Sequence, residues 1–210
     1  MNPGCAGRRR ARKAAIAALI AGAIPGAALM QNPQDMDSIN APPGLHHRID
    51  AQWEEDRLRL RVELSNRGAE TLAVWIPPDP GPPLVDGDAA AGTIRVLDQL
   101  VDALSMTPIA PLERSARILR PGDGLQAVRE VARPFQRHWP AGYGPPEPAP
   151  LPAAPRQVEY CYGVAELAAL PGAAALDPAA SVISLAHGNV LALDAQRVVC
   201  AAVFPVPGAD

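Results

Sequence analysis

From Arg57 to Ile76 the chain alternates apolar and polar residues with a strict period of two. Leu58, Leu60, Val62 and Leu64 fall on one side, and Arg59, Arg61, Glu63 and Ser65 on the other, which is the mark of a strand with one dry and one wet face. Asn66-Arg67-Gly68 follows with residues that tolerate a turn, and Leu72, Val74 and Ile76 resume the alternation. The pattern predicts two antiparallel strands over a core.

The same reasoning extends along the body. His46–Trp53 is expected as a strand turned by Glu54-Glu55-Asp56 into the central one. Pro77 to Pro83 stops any regular element. Thr93–Met106 carries both periods: Leu97, Leu100, Val101 and Leu104 at helical spacing, and Ile94–Asp98 as a strand, the reading its neighbours favour. Ala116–Arg120 and Leu125–Val131 flank Pro121-Gly122-Asp123-Gly124, a bend or hairpin. Pro134 to Pro155 contains eight prolines, with Trp139 and Tyr143 among them, and reads as a long loop of polyproline character. Gln157–Val164 is a strand and Ala165–Leu170 a helical turn. Val182–Ala186, the turn His187-Gly188-Asn189 and Val190–Leu193 read as a hairpin, and Arg197–Phe204 is the last strand.

At the N-terminus, Arg8 to Lys13 precedes an apolar run, Ala14 to Met30, broken by Gly22, Pro25 and Gly26. A positive flank, a short apolar stretch and small residues at Gly26-Ala27-Ala28 are the parts of a cleavable export signal. The run is short and Ala-rich for a membrane span, so an anchor with the body outside the cytoplasm is the alternative. The expected division is 1–30 as signal peptide or anchor, 31–44 as a flexible linker and 45–206 as the β-domain.

Charge changes what can bind. Five of the 19 basic residues precede Asp35, leaving 14 against 22 acids in the remainder, a net of −8 that argues against nucleic acid. Lys13 is the only lysine, so Schiff-base and phosphate-loop chemistry is closed to the body. The motifs G-x-S-x-G, H-E-x-x-H, C-x-x-C and G-x-G-x-x-G are all absent from the sequence.

Cys161 and Cys200 each lie in an apolar strand, and an exported chain would join them as a disulfide. His46 and His47 are adjacent on a strand and face opposite ways; with His138 and His187 they match no zinc spacing, and no metal is expected. Asp79, Asp86 and Asp88 share a loop without the spacing of a calcium site and read as solvated acids. The proline loop with Trp139 and Tyr143 has some partner-binding character but reads first as a stiff surface loop.

Leu60–Asn66, Thr71–Trp75 and Ile118–Asp123 together resemble the immunoglobulin-like sandwich of exported bacterial proteins, through a strand ending in an Asn turn and a strand ending in a Pro-Gly-acid corner. The resemblance covers about a third of the chain. It implies an all-β, immunoglobulin-like antiparallel β-sandwich with long Pro-rich loops. It further implies a non-enzymatic accessory or interaction module of the periplasm or cell envelope, with a protein partner and no cofactor. A membrane-anchored envelope assembly factor and a hydrolase with a carboxylate site are the alternatives.

Overall fold

The computed structural model describes residues 29–30, 40–76, 82–101, 112–140, 143, 148 and 150–208. The expected leader up to residue 28, most of the linker, Asp79 and the segment 102–111 lie outside the described residues. The described chain is mostly β-sheet with one α-helix.

The first sheet has the order β1 (Leu29–Met30), β2 (Leu45–Trp53), β3 (Arg57–Asn66) and β8 (Gly124–Ala132), all antiparallel. As the alternation predicts, Leu58, Leu60, Val62 and Leu64 are buried. Their alternates carry the solvent face, where Arg59 pairs with Glu130 at 2.7 Å and Arg48 with Asp50 at 3.2 Å.

The second sheet contains β4 (Leu72–Val74), β5 (Leu84–Asp88), β6 (Thr93–Asp98), β7 (Glu113–Leu119), β9 (Gln157–Glu166), β10 (Val182–Ala186) and β11 (Arg197–Pro205). Its hub is β9, which pairs with β4, β6 and β11. The β6–β9 ladder is parallel, so this sheet is mixed and the expected all-antiparallel arrangement is corrected. Thr93–Asp98 is a strand, in line with the reading its neighbours favoured.

The two sheets meet over one apolar cluster to which β3 gives Leu58, Leu60 and Val62, and β9 gives Val158, Tyr160, Tyr162 and Val164. The outer face of the second sheet is covered as well. One cover is Ala73, Trp75, Ile118 and Ile183 beneath Ala192 of α1 (Val190–Ala195) and Leu170. The other is Leu84, Leu97 and Cys161 beneath Trp139 and Tyr143 of the proline loop. Those two aromatics therefore pack on the body itself, Tyr143 with only 4% of its surface exposed.

The expected β3–β4 pair does not form, and the Pro121–Gly124 turn is the bend of its two readings, not the hairpin. β3 and β4 belong to different sheets, because the chain uses Asn66–Gly68 to cross between layers instead of turning back. The Pro121-Gly122 corner does the same between β7 and β8, with Gly122 at φ 87°. The expected strand Val190–Leu193 is helical: the Asn189 side chain accepts a hydrogen bond from the Ala192 N–H at 3.1 Å and caps the first turn. β10 pairs with β7 in its place.

Both crossings are tied by Asn66, which is 1% exposed. Its amide Nδ2 donates to the carbonyls of Glu70 at 2.7 Å and Leu119 at 2.9 Å, and its Oδ1 accepts from the Gly68 N–H at 3.0 Å. Its backbone bonds Asp123 and Gly122 in the other corner. Gly44, at φ +80°, approaches the Gly68 backbone so closely that a Cβ there would lie 2.4 Å from its nitrogen. Replacing Asn66 strands the buried Leu119 carbonyl. Asn66→Ala is expected to lower unfolding free energy by about 2–4 kcal/mol in urea denaturation, against less than about 0.5 kcal/mol for Arg67→Ala on the exposed side of the same turn.

Candidate functional site

Alternation along β8 puts Leu125, Arg129 and Val131 on the inward face, which forces an arginine between the sheets. It meets Asp98 at the end of β6, whose side chain is fully buried. Arg129 reaches Asp98 through Nη2 at 2.9 Å and Nε at 2.8 Å. Arg114 of β7 donates to Oδ1 at 2.6 Å, and the Tyr160 hydroxyl of β9 donates to Oδ2 at 2.9 Å. One carboxylate thus gathers donors from three other strands in both sheets.

Burial pushes the Tyr160 hydroxyl well above its ordinary range, and the adjacent Asp98 charge adds to this, so it stays protonated as a donor. Burial also lowers the Arg114 pKa, with Arg129 adding to the effect and Asp98 opposing it. The group is a charge cluster whose acceptor is occupied on every side by its own protein.

His187 extends the cluster at the same end. It is 6% exposed, its Nδ1 accepts from the Val101 N–H at 3.1 Å, and its ring lies 5.2 Å from that of Tyr143. The Tyr143 hydroxyl accepts from the Leu112 N–H at 3.1 Å. Burial, and then the Arg114 charge, depress the His187 pKa to about 4. A neutral imidazole accepting at Nδ1 is an anchor for the Val101 segment.

The other residues singled out from the sequence are dispersed. His47 faces inward to Tyr162, with Nδ1 3.3 Å from its hydroxyl, while His46 faces solvent. His138 pairs through its backbone with Val85. Asp86 holds Arg137 at 3.0 Å, and Asp88 caps the β5–β6 turn by accepting from the Ala91 N–H. Among the described residues these acids serve local structure.

Cys161 and Cys200 are joined, directly opposite one another on β9 and β11. The bridge fits an oxidising, non-cytoplasmic compartment. No helix among the described residues is long and apolar enough to cross a membrane.

The surface offers open depressions. One of about 560 Å3 on the first sheet is lined by His46, Arg48, Glu63, Ser65, Arg67 and Gln126. Another, of about 450 Å3, brings Glu70 and Glu166 together, both exposed and Glu166 3.8 Å from Arg197. Sequence reasoning missed Asp98, Arg129, Arg114 and Tyr160; the one available signal was the charge at Arg129, in phase with Leu125 and Val131. No family model, no curated protein and no solved structure matches this chain.

Two outcomes follow from this geometry. Asp98→Asn leaves two buried guanidinium groups facing a neutral amide and is expected to cost about 3–5 kcal/mol, measured by chemical denaturation. The second concerns acid. His187 takes a proton at about 4 in the folded chain and at 6.5 when free, so between those values only the unfolded chain is protonated. Stability therefore falls as pH drops from 6.5 towards 4, by about 1–3 kcal/mol, and His187→Gln flattens that part of the curve.

Proposed function

We propose that this chain is an exported, non-enzymatic accessory module of the cell envelope, an immunoglobulin-like sandwich that works by binding a protein partner. The observation that carries the reading is an apolar patch at the end of the second sheet. Val190 and Leu191, in the first turn of α1, are 64% and 66% exposed, and Leu112 is 46% exposed. The His187 N–H bonds the Leu112 carbonyl, which places that residue beside the turn leading into α1. Large apolar side chains grouped on the surface are a common mark of an interface.

Two further features support it. The strongest polar cluster is buried and closed upon itself around Asp98, as suits a scaffold. The cystine suits a chain that works outside the cytoplasm. The first sheet's solvent face carries charge pairs, Arg59–Glu130 across strands and Arg48–Asp50 along β2, and a single large exposed apolar residue among the described ones, Val128, whereas the α1 end groups Leu112, Val190 and Leu191.

The test is site-specific photocrosslinking in cells. A photoreactive residue at Leu191 is expected to give one discrete heavier adduct in the envelope fraction, and the same residue at Glu63 none. Leu191→Asp is expected to reduce co-purification of that adduct's partner at least about tenfold, as the loss of a central apolar contact does. Uncrosslinked monomer alone in every fraction would count against the assignment.

A further inference from the structure

Cys161, Cys200 and Glu159 lie together on the outer face of the second sheet. Glu159 precedes Cys161 by two residues, so both side chains leave β9 on the same side. A Glu159 carboxylate oxygen lies within 4.8 Å of both sulfurs of the Cys161–Cys200 cystine. We propose that these three residues form a redox-gated site for a thiophilic d10 cation such as Zn2+. The site is closed while the cystine is intact and becomes available once it is reduced.

The ladder makes this possible. β9 and β11 are paired from Arg197↔Val164 to Pro205↔Gln157, with Cys200 directly opposite Cys161 inside that run. The backbone ladder holds the two cysteines face to face whether or not their sulfurs are bonded. The cystine, spanning 39 residues, acts chiefly by restricting the unfolded chain, and the strand pairing that opposes the two donors is made by the backbone. A register shift next to Cys200 gives this part of β11 local freedom to adjust the sulfur separation.

The donor chemistry fits. Two thiolates on a tetrahedral ion with Zn–S near 2.3 Å stand about 3.7 Å apart, within reach of opposed cysteines by side-chain rotation. Glu159 supplies the third ligand. Its Oε2 accepts from Arg95 Nε at 3.0 Å, which orients the carboxylate and leaves its other oxygen for the ion. Two thiolates and a carboxylate carry three negative charges, and a divalent ion with Arg95 neutralises them. Access is one-sided: Cys200 is exposed, while Cys161 is 1% exposed and packs with Leu97, Val101 and Tyr143.

The chemistry balances with a dithiol reductant. It gives two electrons and two protons and closes to its own disulfide, while the Cys161–Cys200 bond opens to two thiols. Binding the cation then releases those two protons to solvent.

The experiment uses the full chain with Cys5→Ser, so that only the paired cysteines contribute. After reduction by a phosphine and anaerobic desalting, Cd2+ is titrated and the thiolate-to-metal charge-transfer band is followed in the ultraviolet, with Zn2+ as competitor. The reduced protein is expected to saturate at one equivalent and the oxidised protein to show no band. Cys161→Ser and Cys200→Ser abolish the band. Glu159→Gln weakens binding roughly 10–100-fold with the band retained. No band from the reduced protein, or an unchanged band in Cys200→Ser, overturns the proposal. Loss of the strand signal in circular dichroism on reduction alone overturns it too, since the site requires an intact β9–β11 ladder.

Discussion

A single buried carboxylate sets the terms for this interior. Asp98 has no access to water, and an isolated charge in that position is prohibitively costly, so the chain must deliver donors to it. It does so from β7, β8 and β9, the β8 donor coming from the opposite sheet. The pairing contributes little net stability compared with an apolar replacement, because desolvation offsets most of the attraction. Its contribution is positional. A slip of β8 by one residue would turn Arg129 outward and leave Asp98 short of its partner, so the ion pair fixes how the two layers sit in register.

Around that point the two sheets take different surroundings. Among the described residues the first is covered on one side only, and its outer face sets arginine against acid within and between strands. The second is covered on both, by α1 and the short helical turns at one end and by Trp139 and Tyr143 at the other. β4 shows the difference most plainly, with Leu72, Ala73 and Val74 all buried. The proline-rich segment, which reads in isolation as a surface loop, supplies cover for Cys161 and Leu97 through its aromatic residues.

The legible parts of this fold were those written in local alternation. Leu58 to Leu64 declared their face because every second residue is apolar, and Cys161 and Cys200 each stand in a short apolar run of strand length. The connections were less legible. Asn66-Arg67-Gly68 can serve a tight return or a crossing between layers, and only the distant carbonyl of Leu119 decides between them. Val190–Leu193 is too short to show a period, although Asn189 three residues before Ala192 is a capping signal that was there to read. The Asp98 cluster joins residues 16 to 62 positions apart, and such meetings depend on strand order, which no window along the chain contains.

The parallel ladder between β6 and β9 bears on how the molecule assembles. Its partners are separated by 64 residues, and β9 also supplies the neighbour for β4 and β11. The β4–β7 pair and the β5–β6 hairpin can each form on their own, but nothing joins them into one sheet until Gln157–Glu166 is in place. The seven-stranded layer therefore closes through contacts distant in sequence, with its smaller strand pairs held apart until β9 sits between them.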